Sequence, residues 1–179
     1  MNAATASALR GEVAPAGVRI RPATTADAAA LLAIYRPFVE ATAVSFETAV
    51  PTVGEFAARV DKALARWHWL VAEADDGVLG YAYGSSHRER AAYRWSVEVS
   101  AYVAARGRRR GVGRALYLQL FDALAQQGYC NAYAGVALPN PREHRAAPKR
   151  GVPTDRHVRS GGAQVRALAR RRVVPAAAP

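Results

Sequence analysis

The sequence Arg108-Arg109-Arg110-Gly111-Val112-Gly113-Arg114 decides the fold. Alternating apolar residues precede it at 97–103, and an apolar run with helical spacing follows at 115–120. This order predicts a strand, a tight backbone turn and the start of a helix. Glycine lets the backbone approach a ligand, and the first helical turn offers unpaired N–H groups and a positive dipole end. The stretch is therefore a candidate pyrophosphate site, with a plain glycine turn into a helix as the alternative.

The composition is typical of one soluble globular domain. The chain has 179 residues, of which 51% are hydrophobic and 22% charged. Its single cysteine, Cys130, excludes a disulfide framework and favours a reducing cytoplasm. No apolar run approaches the roughly 20 residues of a membrane span. Residues 1–16 lack the features of a signal peptide, and we expect them to form a disordered leader.

The net charge of +11 is unevenly distributed along the chain. Residues 142–179 contain ten Lys and Arg against two Asp and Glu, whereas residues 1–141 contain fifteen against twelve. The body is thus nearly balanced, which disfavours a nucleic-acid-binding protein. The tail has no aromatic residue and one leucine, so we expect it to be disordered.

The segments on either side of the glycine stretch predict an α/β (α+β) mixed sheet. Thr24 and Thr52 are candidate N-caps for two helices, Asp75-Asp76-Gly77 is a candidate hairpin turn, and Gly128 is a candidate helix C-cap. Strands are predicted at 18–22, 69–73, 78–83, 94–103 and 129–137, and the helix after the turn at 113–127. The order is strand, two helices, a three-stranded meander, the glycine turn with its helix, and another strand.

This order and several motifs resemble the GCN5-related N-acetyltransferase (GNAT) superfamily. Arg108-x-x-Gly111-x-Gly113 matches its Gln/Arg-x-x-Gly-x-Gly/Ala acyl-CoA signature. The segments Ile-Arg-Pro-Ala-Thr, Ser-Phe-Glu-Thr and Trp-Leu-Val-Ala-Glu resemble the phosphinothricin N-acetyltransferase group in particular, as do residues 80–83, 92–100 and 135–141. The resemblance implies a GNAT acyl-CoA N-acyltransferase fold over residues 17–141.

The resemblance stops after Pro141, so we expect the C-terminal helix and last strands of the fold to be missing. Members of the group continue with an Asn-Pro-x-Ser-x-x-Leu-His helix, a Gly-Phe turn and a Gly-x-Trp-His-Asp-Val-x-x-Trp hairpin. Read one base later, the codons permit Ala-Ser-Ile-Ala-Leu-His from Arg142, Gly-Phe-Arg from Gly151 and Lys-Phe-Gly from Gln164. They also permit Trp-His-Asp-Val from Leu168 and another Trp after it. We hypothesise a one-base slip near the codon for Pro141 or Arg142, which makes the tail out of frame and its charge uninformative about partners.

The resemblance assigns acetyl-CoA to the glycine stretch, as a co-substrate. Backbone N–H groups over Arg109–Arg114 would hold the pyrophosphate, with arginine side chains adding attraction. The strand edge at Ala101, Tyr102 and Val103 would pair with the pantetheine amides. Asn140 falls on a family position near CoA, with a turn-forming Asn before Pro as the alternative.

An amine is protonated near pH 7 and needs a base before it can attack an acyl group. Glu98, within an apolar strand, is the candidate base, and the resemblance places a glutamate there; a surface carboxylate is the alternative. The implied acceptor pocket consists of Phe46, Glu47, Tyr83, Arg88, Tyr93 and Trp95. His68 and His87 are expected on the surface, and no residue cluster has metal-ligand spacing.

Four functional hypotheses remain at this stage. The first is N-acetylation of a small amino acid such as phosphinothricin or methionine sulfoximine, by a cytoplasmic enzyme for which the family also allows a homodimer. The second is a GNAT enzyme acting on another small amine or a protein N-terminus. The third is a frameshifted product that is unstable or inactive. The fourth, a basic nucleic-acid-binding protein, is disfavoured, and membrane association is not expected.

Overall fold

A computed structural model describes residues 14–42, 44–138, 157–160 and 163–172. Seven strands form one sheet in the order β1-β2-β3-β4-β5-β7-β6. All neighbours are antiparallel except β4 and β5, which are parallel. The strands are β1 (Arg19–Pro22), β2 (Trp69–Ala74), β3 (Gly77–Ser86), β4 (Ser96–Val103), β5 (Asn131–Leu138), β6 (His157–Ser160) and β7 (Ala163–Arg172). The helices are α1 (Ala28–Ala41), α2 (Val53–Leu64) and α3 (Val112–Gln126). The predicted mixed sheet is confirmed.

Local chemistry sets the helix ends. Asp27 accepts the Thr24 N–H at 2.8 Å, and a capping box joins Thr52 to Glu55 at the start of α2. Gly128 has a φ of +88° just beyond α3, which only glycine adopts without strain. Helix α1 continues through Pro37 to Ala41, so this proline does not end the helix.

Alternation along the strands separates two apolar layers. In β2, Leu70 and Ala72 pack into the core beneath α3, while Trp69 and Val71 pack against α1 and α2. The sheet is therefore covered on both faces. In β4, Val97 and Val99 join the α3 layer, which turns Glu98 toward the α1 and α2 face.

Two expectations about the chain ends need correction. We expected disorder through Ala16, but Ala14 packs against the α3 core and Val18 donates its N–H to the Pro15 carbonyl at 2.9 Å. We also expected no strands after Pro141, yet β6 and β7 extend the sheet beyond β5. Strand pairing uses backbone N–H and C=O groups, which the Arg-rich strands β6 and β7 supply whatever their side chains. The expected loss of the C-terminal helix concerns residues outside those described.

The ladder between β4 and β5 is short, and this creates the central feature of the fold. It contains three pairs, Ser96 with Asn131, Val97 with Ala132 and Glu98 with Tyr133. Beyond Glu98, β4 continues to pair with β3 as far as Val103, whereas β5 pairs with β7. The two parallel strands separate there and leave a wedge-shaped gap.

Candidate functional site

The predicted glycine loop lies at the wide end of this gap. A short turn (Ala105–Gly107) follows β4, and Gly111 caps α3 with a φ of +79°. Arg109 also has a positive φ, of 62°, which is rare outside glycine. Arg108, Arg109, Arg110 and Arg114 are exposed, and Val112 is buried under the helix. Exposed guanidinium groups around a helix N-terminus form a site suited to phosphate.

The loop has apolar walls. Pro15 lies against Gly111, because a Cβ built on that glycine would meet Pro15 Cγ at 3.5 Å. On the α1 side, a groove of about 510 Å³ runs between α1 and the end of β4. The Arg108 guanidinium lies 5.9 Å from the centre of the Phe38 ring in its wall. Gly111 and Arg108 were predicted as site residues, whereas Pro15 and Phe38 were not.

The predicted cofactor strand, Ala101 to Val103, borders the gap. Ala101, Tyr102 and Val103 pair with Ala82, Tyr81 and Gly80 of β3 on one side. On the other side the ladder to β5 has already ended. This edge has the geometry for main-chain pairing with an extended ligand. Asn140 lies outside the described residues.

Glu98 lies at the narrow end of the gap. Its neighbours across the sheet are Ser85 in β3 and Tyr133 in β5. The side chain is half-buried, and burial raises the pKa of its carboxyl group above the usual value. Among the described residues, none forms an ion pair or hydrogen bond with this carboxylate. An unpaired, half-buried carboxylate is well suited to accept a proton.

Tyr83 lies on the same face as Glu98. Its ring stacks on Trp69 with centroids 4.2 Å apart, and its strand partner in β4 is Ser100. Burial raises the pKa of Tyr83, and Glu98 contributes to the same direction. The phenol therefore remains protonated at neutral pH and lies within electrostatic range of Glu98.

Glu47 enters the same region from the loop between α1 and α2. Arg59 donates to its two carboxylate oxygens at 2.6 and 3.3 Å, and Tyr35 donates to Oε1 at 3.2 Å. The neighbouring Phe46 is 64% exposed beside this network. The sequence predicts Phe46 and Glu47 as site residues, but it does not predict Tyr35 and Arg59, which contact Glu47 only through the tertiary structure.

Arg88 and Tyr93 belong to a basic pocket of about 320 Å³ beside the β3–β4 connection. The Arg88 guanidinium lies 5.4 Å from the centre of the Tyr93 ring, and Arg66 stacks on Trp67 in the same way. The wall has four arginines and one glutamate: Arg66, Arg88, Arg90, Arg94 and Glu89. Arginine recurs at positions 88, 90 and 94 of the sequence, and this pattern could have predicted Arg90 and Arg94 as further residues of the pocket.

His87 connects the basic pocket to the gap. Its ring stacks on Tyr133, with centroids 4.1 Å apart and planes 9° apart, and lies 5.7 Å from the ring of Tyr93. Nδ1 is buried and has no hydrogen-bond partner among the described residues. Burial, together with Arg88, lowers the pKa of His87. The expected surface position is wrong for His87, and His68 is also half-buried.

Trp95 and the glycine loop lie at opposite ends of β4. Trp95 precedes β4, and its carbonyl accepts the N–H groups of Cys130 and Asn131 at 2.9 and 3.2 Å. Its ring is 50% exposed and lies near Gly128. The structure thus brings Glu47, Tyr83 and Glu98 to one face, and places Arg88 and Tyr93 in the neighbouring basic pocket. In the part of the chain that the structure describes, no helix is long and apolar enough to cross a membrane.

Known proteins share this architecture. The family model of the acetyltransferase (GNAT) domain matches residues 20–147. A phosphinothricin N-acetyltransferase of Streptomyces viridochromogenes is 39% identical over 123 residues, which cover 69% of this chain and 67% of the relative. A Salmonella typhimurium acetyltransferase, solved with its cofactor acetyl-CoA, has a TM-score of 0.80 at 26% identity, covering 90% of this chain and 97% of the other. A GNAT phosphinothricin acetyltransferase from Sinorhizobium meliloti in complex with acetyl-CoA has a TM-score of 0.76 at 27% identity, covering 84% and 85%. Since the family model spans most of the chain and these relatives share its fold, the chain belongs to the GNAT family of acetyltransferases.

Proposed function

We propose that this enzyme transfers the acetyl group of acetyl-CoA to the amino group of a small amino acid whose side chain ends in an anionic phosphinate or a neutral, polar sulfoximine, such as phosphinothricin or methionine sulfoximine. The observation that carries the proposal is the position of Glu98. Its unpaired carboxylate lies at the narrow end of the gap, and the His87–Tyr133 stack connects this point to the basic pocket. A candidate base and a candidate anion site therefore lie near one another, which supports the proposal.

The residues around the gap fit acetyl-CoA, which supplies the activated acyl group when bound. The N-terminus of α3 and the arginines of the loop would bind the pyrophosphate, with backbone N–H groups of Arg109, Arg110, Gly111, Val112, Gly113 and Arg114 as donors. The β4 edge at Ala101–Val103 would pair with the pantetheine amides. Asn140 stays a prediction for the same site.

Glu98 would prepare the amine for attack. Because burial raises its pKa, the carboxylate is a stronger base than an exposed glutamate. It would take a proton from the ammonium group, so that the neutral amine could attack the acyl carbon directly. The C–N bond would form as the thioester C–S bond breaks, and CoA would leave as a thiolate that takes up the second proton lost by the nitrogen. Tyr83 and Glu47, which face the same region, would contact the acceptor near its amino group.

The basic pocket would hold the anionic end of the acceptor. Arg88, already oriented by its stacking on Tyr93, is the candidate cation, and Arg90 is a second one. Phe46, in the loop between α1 and α2, offers an exposed ring for contact with the acceptor. Trp95 stays a prediction as a pocket residue, because its ring lies at the far end of β4.

A thiol-release assay with acetyl-CoA and a panel of amines tests this function. We expect phosphinothricin and methionine sulfoximine to be acetylated faster than alanine, methionine or an alanyl peptide. Arg88→Gln should raise KM for phosphinothricin by roughly tenfold and leave KM for alanine unchanged. Lys62→Gln, an exposed charge on α2, is the matched control. Equal rates across the panel would favour another amine or a protein N-terminus, and no turnover at all would favour the inactive product.

A further inference from the structure

The loop between α1 and α2 is fixed by a network that starts at a buried phenol. Tyr35 in α1 lies 2.7 Å from Ser45 Oγ and donates to Glu47 Oε1 at 3.2 Å. The backbone N–H of Glu47 donates to Ser45 Oγ at 3.1 Å. Ser45 and Glu47 thus point inward, whereas Phe46 between them is exposed. The direction of the Glu47 carboxylate depends on these contacts.

Arg59 holds the Glu47 carboxylate from the opposite side. Its two terminal nitrogens donate to the two oxygens of Glu47 at 2.6 and 3.3 Å, and this hydrogen bonding raises the pKa of Arg59. Both side chains are partly exposed, at 45% and 34%. A pair this exposed contributes little to stability, but its two-pronged geometry restricts the orientation of the carboxylate.

The charge of Arg59 also reaches the acceptor face. It acts electrostatically on the hydroxyl groups of Tyr35 and Tyr83, and Tyr83 in turn lies within range of Glu98. Glu47 is therefore held at the edge of the region in which the base lies. A fixed carboxylate at this position can accept hydrogen bonds from an ammonium group.

We propose that Arg59 is a positioning residue that fixes Glu47 for binding the acceptor's ammonium group. The proposal rests on the proposed N-acetyltransferase function. Without Arg59, the Tyr35 hydroxyl is the one partner that the Glu47 carboxylate retains among the described residues, and its second oxygen turns to water. The acceptor then binds more weakly, while the acetyl-CoA loop and Glu98 are unchanged.

Steady-state kinetics of Arg59→Ala test the proposal. We expect KM for phosphinothricin to rise about tenfold, equivalent to about 1.4 kcal/mol, with kcat and KM for acetyl-CoA unchanged. Arg59→Lys keeps the charge without the fork and should give an intermediate KM. Arg36→Ala is the matched control, because Arg36 also pairs with a glutamate, Glu40, at 3.3 Å on an exposed helix face.

A double variant separates positioning from direct contact. If Arg59 acts through Glu47, the Arg59→Ala/Glu47→Gln enzyme should bind the acceptor no more weakly than Glu47→Gln alone. Additive effects, or an equal rise in KM for acetyl-CoA, would overturn the proposal. Should Arg59→Ala fold poorly in a thermal melt, Arg59→Lys and Glu47→Gln supply the same comparison. If the wild-type enzyme is active and Arg59→Ala has the same KM for phosphinothricin, only the inference about Arg59 is wrong. If the wild-type chain is inactive on every amine, the proposed function is wrong as well.

Discussion

Glu98 stands opposite Tyr133 in the last residue pair of the parallel ladder between β4 and β5. The candidate base therefore lies where the strands begin to separate. Because His87 stacks on the Tyr133 ring, the same pair also connects the base to the basic pocket. One position in the sheet thus joins the gap between β4 and β5, the candidate base and the basic pocket.

Removing the base should reduce turnover far more than binding. We expect Glu98→Gln to lower kcat by about 10²–10⁴-fold, with KM for acetyl-CoA nearly unchanged. The wild-type rate should rise with pH through the raised pKa of Glu98, and the variant should lose this dependence. Steady-state kinetics measure the fall in kcat, and a pH–rate profile of kcat/KM measures the pH dependence. An unchanged profile in Glu98→Gln would assign the base to another group.

The same substitution should stabilise the fold at high pH. The folded pKa of Glu98 is raised, so its stabilising effect is present below the unfolded value and is lost as pH rises through the folded value. Glu98→Gln removes that loss. We expect a higher melting temperature than wild type at pH 8 and the same one near pH 4. Glu40→Gln, an exposed glutamate on α1, is the control and should show no such trend.

The two glycines of the loop should respond differently to alanine. Gly111 has a φ of +79°, so Gly111→Ala should cost about 1–2 kcal/mol of unfolding free energy. Gly113 lies within α3 without a positive φ, and its added Cβ would meet Val103 Cγ2 at an ordinary 3.5 Å. Gly113→Ala should therefore keep or raise stability, by up to about 1 kcal/mol.

Binding gives a second measurement on this glycine pair. If backbone N–H groups of the loop contact the pyrophosphate, both substitutions should raise KM for acetyl-CoA, although only one destabilises the fold. Chemical denaturation and kinetics on the same two variants separate the effects. A normal KM for both would place the phosphates elsewhere.

Asp27 should give the fold an acid-sensitive contribution. Arg21 donates to both of its carboxylate oxygens at 2.9 and 2.7 Å, which lowers the pKa of Asp27 to about 2. This stabilisation is present above the unfolded value near 3.9 and is lost as pH falls through about 2. We expect Asp27→Asn to lose about 1–2 kcal/mol at pH 7 and the difference to vanish near pH 2. Urea denaturation across this pH range measures it, and a constant difference would contradict the assignment.

Restoring the reading frame after Pro141 should improve both stability and turnover. In the structure, β7 pairs with β5 so that residue 168 lies beside Ala134. The shifted frame would place tryptophan at 168 and histidine at 169, which adds apolar surface to the strand beside the gap. We expect the frame-restored chain to melt at a higher temperature and to acetylate faster than the present chain.

DNA sequencing provides the independent check on the frame hypothesis. The critical region is the run of codons from Asn140 to Arg142. A single-base insertion or deletion there would confirm the slip. An intact run, together with equal melting temperatures for the two chains, would contradict it.

Motifs with local causes were predictable from the sequence. Three such motifs are found: the Thr52 N-cap of α2, the hairpin turn that ends at Gly77, and Gly128 at the C-terminal end of α3. Each depends on residues within a few positions of one another. The order of elements before Pro141 also follows from hydrophobic periodicity. Family resemblance then supplied the acetyltransferase assignment, which the family model and the relatives confirm.

Contacts between side chains from different elements could not be predicted from local motifs. The His87–Tyr133 stack joins residues 46 positions apart, and Arg59 in α2 reaches Glu47 in the loop before that helix. Composition also misled us about residues 157–172, because strand pairing depends on backbone groups that composition does not measure. The roles of the predicted cofactor and acceptor residues stay predictions.

The separation of β4 from β5 also affects how much folded protein a cell maintains. The two parts of the sheet share only three residue pairs across that boundary, and a ligand in the gap would contact both. Its binding free energy would then add to the stability of the whole domain, by about 2.7 kcal/mol at a hundred times its Kd. Abundance of the enzyme would follow the supply of its acyl donor, so nutritional state would control not only the rate of acetylation but also the lifetime of the protein that performs it.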